Sequence, residues 1–146
     1  IPALNKGNVT IGNIFELMPF DNMMVVVELD YETLMKMVNH FAAKGGEPIS
    51  HHFNMVIADG KPFDITINGK PIDKNRTYKM ATTDYLANGG DRLSFLKDRP
   101  TAHLQKFFRD ALIEYIKAET KKGNIRWWNR VWYRNNSRSF IYKKEI

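Results

Sequence analysis

The run of apolar residues from position 23 to 29 constrains the fold more than any other feature of the sequence. It reads Met-Met-Val-Val-Val-Glu-Leu, so it is rich in β-branched residues and too short for a globular helix. A continuous run of this kind is typical of a strand that is buried on both faces. With 146 residues and 43% hydrophobic content, the chain can build the core that buries it, and we expect one domain over residues 1–146.

After this strand the hydrophobic pattern changes to a helical period. Asp30 suits the N-cap position, and the spacing predicts a helix over residues 31–43. Gly45 and Gly46 are expected to end this helix. Its apolar positions follow the i, i+3, i+4, i+7 spacing of one helix face. They are Leu34, Met37, Val38 and Phe41.

Further strands are predicted where β-rich runs are separated by turn residues. Residues 53–67 alternate around Asp59-Gly60, a pair that is typical of a tight hairpin, and a second turn follows at 68–71. Residues 78–83 form another predicted strand. This strand runs directly into residues 84–91, and binding residues are commonly held on loops at strand ends. We therefore expect function at this junction.

Helices are also predicted near both ends of the chain. Residues 11–18 form a short helix that Pro19 stops, and residues 101–121 form a longer helix that Gly123 ends. The expected fold class is α+β, with a mixed β-sheet flanked by helices. The apolar face of the longer helix comprises Leu104, Phe107, Phe108, Ala111, Leu112, Tyr115 and Ile116.

The positive charge of the chain is concentrated at its C-terminal end. Residues 117–146 hold nine Lys and Arg against two Glu, whereas the net charge of the whole chain is +6. Bases and aromatic residues alternate over residues 126–134, a pattern found on nucleic-acid surfaces and also on a final strand that packs its aromatics on the core. Because no nucleic-acid-binding signature accompanies it, we favour the strand at residues 131–133, with another at 140–142, and expect no nucleic acid partner.

Several chemistries are excluded by residue type. The chain has no cysteine, so disulfides, thiolate metal sites and cysteine nucleophiles are absent. No apolar run approaches the roughly 20 residues that span a bilayer, and no membrane partner is expected. His51 and His52 are adjacent, and in a strand they would point to opposite faces and not share one ion. Histidines at the surface or in a turn are therefore favoured over a metal pair. No metal site and no catalytic residue are predicted in this chain.

Two segments resemble the C-terminal domain of 5′-nucleotidases. Residues 10–22 read Thr-Ile-Gly-Asn-Ile-Phe-Glu-Leu-Met-Pro-Phe-Asp-Asn, which is similar to the family's T-x-G-D-L-F-x-x-L-P-F-G-N. Residues 78–91 read Tyr-Lys-Met-Ala-Thr-Thr-Asp-Tyr-Leu-Ala-Asn-Gly-Gly-Asp, which is similar to Y-x-V-A-T-x-D-F/Y-L-A-x-G-G-D-G. Residues 67–73 and 129–131 also fall in family order, whereas residues 135–146 have no counterpart. The resemblance implies a domain that lacks its own first helix and strand.

The resemblance implies a set of substrate-binding residues. Phe20 and Tyr85 match the two aromatic residues that sandwich the nucleobase in this family, and every base offers a π-face for such stacking. Asn22 and Asn88 are candidates for hydrogen bonds to the base, and Asp91 for accepting hydrogen bonds from the ribose hydroxyls. Arg92 replaces a glycine of the family, and it can narrow the pocket, pair with Asp91 or reach a phosphate.

The resemblance also implies what this chain does not supply. In the family a pair of divalent metal ions, held by a separate metallophosphoesterase domain, drives hydrolysis of nucleotide phosphomonoesters. The chain is therefore expected to recognise a nucleotide or nucleoside for a hydrolase, without being catalytic on its own. Similar domains occur in UDP-sugar hydrolases and 2′,3′-cyclic-nucleotide phosphodiesterases, and similar proteins are periplasmic or extracellular. The alternatives are a non-catalytic nucleoside-binding or interaction module and a nucleic-acid-binding protein that uses the basic end.

Overall fold

The computed structural model describes residues 7–123, which fall into two compact units. Within the described chain, the first unit contains residues 7–27 and 79–123, and the second contains residues 28–78. The predicted strands at 131–133 and 140–142 and the basic residues after 123 lie outside the described residues. All five candidate binding residues belong to the first unit.

The described residues form four α-helices and six β-strands, and four of these strands follow one another without an intervening helix. Two short 3₁₀ turns, at Gly90–Arg92 and Ser94–Leu96, precede the last strand. In chain order the elements are α1 (Ile11–Leu17), β1 (Met23–Leu29), α2 (Tyr31–Ala43), β2 (Phe53–Ala58), β3 (Lys61–Ile67), β4 (Lys70–Pro71), β5 (Tyr78–Thr83), α3 (Asp84–Ala87), β6 (Thr101–Phe107) and α4 (Phe108–Lys121).

The strands form two three-stranded sheets. One sheet has the order β5-β1-β6, and the other has the order β2-β3-β4. Strand β1 pairs antiparallel with β6, so that Val25 lies opposite His103 and Val27 opposite Thr101. Strand β3 pairs antiparallel with both β2 and β4. The α+β class predicted from the sequence is confirmed, and the strands are divided between two sheets.

The second unit is built from the local signals of its sequence. The Asp30 side chain accepts a hydrogen bond of 2.8 Å from the Thr33 backbone N–H, which caps α2 as predicted. Leu34, Met37 and Val38 of the predicted stripe are buried. These contacts place the apolar face of α2 in the core of this unit.

The hairpin between β2 and β3 is confirmed. Asp59 and Gly60 have φ of 49° and 71°, the left-handed values that a two-residue type I′ turn requires at both positions. Asn68 and Gly69, with φ of 53° and 74°, connect β3 to β4 by a second turn of the same kind. In β2 the alternate residues are buried, so one face of the hairpin covers the core.

The first unit has one element that differs from the sequence prediction. The predicted helix over residues 101–121 is wrong in its first part, because residues 101–107 form β6 and the helix begins at residue 108. Pairing with β1 satisfies the backbone groups of this segment, and that gain outweighs its helical spacing. Leu104 and Phe107 of the predicted helical face are consequently exposed strand residues.

Strand β1 and helix α1 form where predicted, with less burial than expected. Val25, Val27 and Leu29 are fully buried, whereas the alternate residues are half-buried, so β1 is completely covered on one face only. In α1 the single buried residue is Ile14. Phe15 is 47% exposed, although the apolar residues at positions 11, 14, 15 and 18 have the spacing of one helix face.

Candidate functional site

The first candidate segment follows helix α1. Thr10 and Asn13 cap the start of this helix reciprocally, because the Thr10 hydroxyl accepts from the Asn13 N–H at 3.1 Å and the Asn13 side chain accepts from the Thr10 N–H at 3.0 Å. The helix ends at Leu17, and residues 18–22, here named the Phe20 loop, lead into β1. Phe20 is 73% exposed in this loop.

The second candidate segment follows strand β5. The Thr83 hydroxyl accepts a hydrogen bond of 3.4 Å from the Leu86 N–H and so caps α3, a helix of a single turn. Asn88 ends this helix, and Gly89, at a φ of 94°, turns the chain. Residues 84–92 are here named the Tyr85 loop. Tyr85 is 52% exposed, so both loops present an exposed aromatic ring.

One carboxylate oxygen joins the two segments. Oδ1 of Asp84 accepts a hydrogen bond of 3.0 Å from the backbone N–H of Met23 and another of 2.8 Å from the backbone N–H of Tyr85. Met23 is the first residue of β1 and follows the Phe20 loop directly. The carboxylate of Asp84 therefore fixes the end of one loop to the beginning of the other.

The ring of Tyr85 is held by the residues that follow it. A Cβ built on Gly90 would lie 2.5 Å from Cε1 of Tyr85, so only glycine allows the ring this position. The Tyr85 hydroxyl donates to Oδ1 of Asp91 at 3.2 Å and accepts from the Asp91 N–H at 3.4 Å. These contacts fix the orientation of the ring while leaving half of its surface exposed.

The other candidate residues occupy the same two loops. Asn22 is half-buried, and its carbonyl accepts a hydrogen bond of 2.9 Å from the Phe108 N–H. Asn88 and Asp91 are both exposed. Within residues 7–123 no ring contact joins Phe20 to Tyr85, so the two rings are not stacked on each other. The structure thus brings Tyr85 and Asp91 into direct contact and places Phe20 and Asn22 in the loop anchored beside them.

Three residues that support these loops were not predicted from the sequence. Asp84 and Gly90 lie inside the second motif, where the position of an acid at a helix N-terminus and a glycine pair were the available signals. Arg109 gave no local signal, because its contacts lie far away along the chain. Its Nη2 donates to Asp21 at 2.6 Å, and its guanidinium carbon lies 4.0 Å from the centroid of the Phe15 ring.

The backbone at Asp91 and Arg92 is unusual. Their φ angles of 52° and 66° are both left-handed, a conformation that costs about 1–2 kcal/mol per residue for most side chains. The described part of the chain contains no ion pair between Arg92 and Asp91. Of the three roles expected for Arg92, pairing with the carboxylate of Asp91 is therefore not seen.

The adjacent histidines lie in an exposed turn, the position that the sequence favoured over a metal site. His51 and His52 lie in a turn rather than a strand, and their ring centroids are 3.7 Å apart. Their rings do not point to opposite faces, as they would in a strand. Across residues 7–123 no group of three or more His, Cys, Asp or Glu side chains is arranged to hold a metal ion.

The longest helix in the described segment, α4, has 14 residues, and none of the helices described there is long and apolar enough to span a membrane.

The chain is similar to known 5′-nucleotidases in sequence and in structure. The sequence model of the family described as 5′-nucleotidase, C-terminal domain, matches residues 1–98. Protein UshA of Escherichia coli K12 is 29% identical over 126 residues, which cover 84% of this chain and 22% of UshA. A 5′-nucleotidase of Vibrio cholerae is 26% identical over 124 residues, which cover 81% of this chain and 22% of that protein.

The fold is also found in solved structures. A 5′-nucleotidase precursor from Thermus thermophilus superposes with a TM-score of 0.65 at 18% sequence identity, over 75% of this chain and 25% of that one. At this identity the likeness establishes the fold. The chain spans about a quarter of the length of the relatives that it matches.

Proposed function

Because the chain belongs to the 5′-nucleotidase C-terminal domain family, we propose that it recognises the base and ribose of a nucleotide for a phosphohydrolase. Phe20 and Tyr85 are the residues that contact the two faces of the base. The metal-dependent step belongs to a metallophosphoesterase domain or chain that this chain accompanies. This function rests on the geometry of the two loops rather than on any catalytic group in the described residues.

The observation that carries the proposal is the shared carboxylate of Asp84. Its Oδ1 binds the N–H groups of Met23 and Tyr85 at 3.0 and 2.8 Å. This carboxylate therefore joins two loops that each expose an aromatic ring. Leaving a large aromatic ring exposed to water costs free energy that burial would recover. Two exposed rings on loops that are joined in this way therefore favour a ligand that covers both rings.

The chemistry of the two rings fits a nucleobase. Stacking on an aromatic side chain contributes about 1–3 kcal/mol per base and accepts any base. Gly90 and Asp91 already hold the ring of Tyr85, so little conformational entropy is lost when the base binds to it. Phe20, 73% exposed, supplies the second apolar surface.

The polar candidates complete the recognition of a nucleoside. Asn22 and Asn88 each carry an amide that can both donate to and accept from a base edge. The carboxylate of Asp91 accepts one hydrogen bond from Tyr85 and retains lone pairs for the ribose hydroxyls. Loss of these bonds leaves buried polar groups of the ligand unpaired, which is how such a site discriminates among ligands.

The hydrolytic chemistry comes from outside this chain. A pair of divalent ions, held by residues of the metallophosphoesterase domain, would supply an activated water and electrostatic stabilisation for in-line displacement at the phosphorus atom. The contribution of this chain is to bind the nucleoside end and hold the phosphate in place for that reaction. The family resemblance also implies that the whole protein works in the periplasm or outside the cell.

Calorimetric titration of the 146-residue chain with adenosine and with AMP tests the proposal. Phe20→Ala and Tyr85→Ala are each expected to lower the affinity for both ligands by about 5- to 100-fold, the equivalent of one lost stacking contact. Phe63→Ala is the matched control, because Phe63 is a 49% exposed aromatic residue of the second unit. Equal affinities for all four proteins would contradict the base contact.

A further inference from the structure

The side chain of Arg109 makes three contacts around the Phe20 loop. Its Nη2 donates to Oδ1 of Asp21 at 2.6 Å, and its Nη1 donates to the carbonyl of Met18 at 3.2 Å. The guanidinium lies over the Phe15 ring, with 4.0 Å between Cζ and the ring centroid. The side chain of Arg109 is only 11% exposed, whereas that of Asp21 is 71% exposed. The largely buried guanidinium of Arg109 thus binds residues of the exposed Phe20 loop.

The residue before Arg109 holds the other end of the same loop. The backbone N–H of Phe108 donates to the carbonyl of Asn22 at 2.9 Å. Phe108 is the first residue of α4, where an N–H group has no partner within the helix, and the N-cap residue Phe107 supplies no side-chain hydrogen bond. Residues 108 and 109 therefore bind both ends of the loop, at Met18 and Asn22.

One buried donor of Arg109 is unpaired in the described part of the chain, and its other contacts must offset the free energy that this costs. The Nε atom of Arg109 is buried and has no hydrogen-bond partner among residues 7–123. A buried donor without a partner disfavours the conformation that contains it. The two charge-assisted bonds and the contact with Phe15 compensate for this loss. Lysine cannot replace this geometry, because its single ammonium does not present two donors in a planar fork.

We propose that Arg109 is a positioning residue, which holds the Phe20 loop in the conformation that presents Phe20 to the ligand. The proposal rests on the nucleoside-binding function proposed above. Arg109 acts through Asp21 and Met18, which lie on either side of Phe20, and it does not itself touch the base. Asp21 stands where the resembling motif has glycine, so relatives that keep that glycine cannot form this ion pair.

The test compares loop order with ligand affinity in the full 146-residue chain. We expect the backbone order parameters of residues 20–22, measured by ¹⁵N relaxation, to be near 0.8 in the wild type and below about 0.6 in Arg109→Lys and Asp21→Asn. In the same variants we expect about tenfold weaker binding of adenosine. Asp21 is exposed, so Asp21→Asn keeps the fold if Arg109→Lys does not.

A matched control and a double variant separate positioning from general stability. Glu114→Gln breaks the ion pair between Lys106 and Glu114, which joins β6 to α4 without touching the Phe20 loop, and it should change neither order nor affinity. If the ion pair between Arg109 and Asp21 is what orders the loop, the effects of the two substitutions will not add. The double variant Asp21→Asn/Arg109→Lys will then have the same affinity for adenosine as the single variant with the lower affinity.

Each outcome decides a separate claim. Unchanged order parameters at residues 20–22 in folded Asp21→Asn would overturn the proposal, and so would lower order with wild-type affinity for adenosine. If the wild type binds no adenosine, the nucleoside-binding function fails. In that case the order parameters still show whether Arg109 holds the loop.

Discussion

The two units of the chain differ in how far apart in sequence their bonds lie. In the second unit the described structure comes from one continuous stretch, residues 28–78, with local turns and a local helix cap. The first unit is assembled from two separate stretches. Its key hydrogen bonds join Met23 to Asp84 across 61 residues and Asp21 to Arg109 across 88. The candidate site lies in the unit whose geometry depends on distant residues.

The units also differ in where they place left-handed residues. In the second unit Asp59-Gly60 and Asn68-Gly69 occupy the two central positions of tight hairpins, where such conformations are required, and Asp64, with a φ of 47°, is a single left-handed residue within β3. In the first unit Asp91 and Arg92 are left-handed in succession, in a loop that connects no hairpin. Strain of this kind, outside ordinary turns, is commonly found at binding sites.

The largest expected difference between the two units is in how adenosine affinity responds to a methyl group added at a glycine. Gly90→Ala forces the Tyr85 ring away, because the new Cβ would lie 2.5 Å from Cε1 of that ring. We expect about 10- to 100-fold weaker adenosine binding and a loss of about 1–3 kcal/mol of stability. Calorimetry and chemical denaturation measure the two quantities.

The control for this change is a glycine of the second unit. Gly60 has a φ of +71° and nothing within 4 Å of its built Cβ, so Gly60→Ala adds only backbone strain of about 1–2 kcal/mol. Its nucleoside affinity should equal that of the wild type. Equal losses of affinity in both variants would mean that stability, and not the position of the Tyr85 ring, controls binding.

A smaller effect is expected from removing the carboxylate that joins the two loops. Asp84→Ala deletes both hydrogen bonds of Oδ1 and leaves the Met23 N–H without this acceptor, which costs about 1–3 kcal/mol of stability. We expect adenosine affinity to fall about fivefold, which is about 1 kcal/mol. Asp30→Ala, which removes the cap of α2, should cost about 0.5–2 kcal/mol of stability with no change in affinity. If Asp84→Ala retains full affinity, the shared carboxylate does not organise the site.

The smallest expected effect comes from relaxing the backbone at Arg92. Because Arg92 has a φ of 66°, Arg92→Gly should raise the free energy of unfolding by about 1 kcal/mol or less. Thermal unfolding of the two proteins checks this. Asp64, with a φ of 47°, provides the matched control in the second unit. Asp64→Gly should raise the free energy of unfolding by less than Arg92→Gly does, because aspartate adopts left-handed conformations more readily than arginine. Unchanged affinity of Arg92→Gly for both adenosine and AMP would remove any role for Arg92 in binding.

The difference between local and long-range contacts explains which elements could be predicted from the sequence. Helix α2, the β2–β3 hairpin and strand β5 carry local signals, such as the Asp30 cap and Asp59-Gly60, and all three form where expected. Residues 101–107 have helical spacing, and their pairing with β1 is a long-range contact that no local pattern indicates. A local pattern was therefore sufficient only where the deciding contacts were local.

The candidate site likewise depends on both local and distant contacts. The motifs placed Phe20, Asn22, Tyr85, Asn88 and Asp91 in two loops, and the structure joins those loops through Asp84. The role of Arg109 had no counterpart in the sequence pattern, because its partner Asp21 is 88 residues away. Sequence motifs thus indicated the residues that would contact a ligand more readily than the residues that hold them in position.

An NMR titration of the ¹⁵N-labelled chain with adenosine tests the proposal that the Phe20 loop and the Tyr85 loop bind the nucleoside. We expect chemical-shift changes in the amides of the Phe20 loop and the Tyr85 loop, and none in residues 31–67 of the second unit. Changes centred on residues 31–67, or no change in either loop at saturating adenosine, would contradict it.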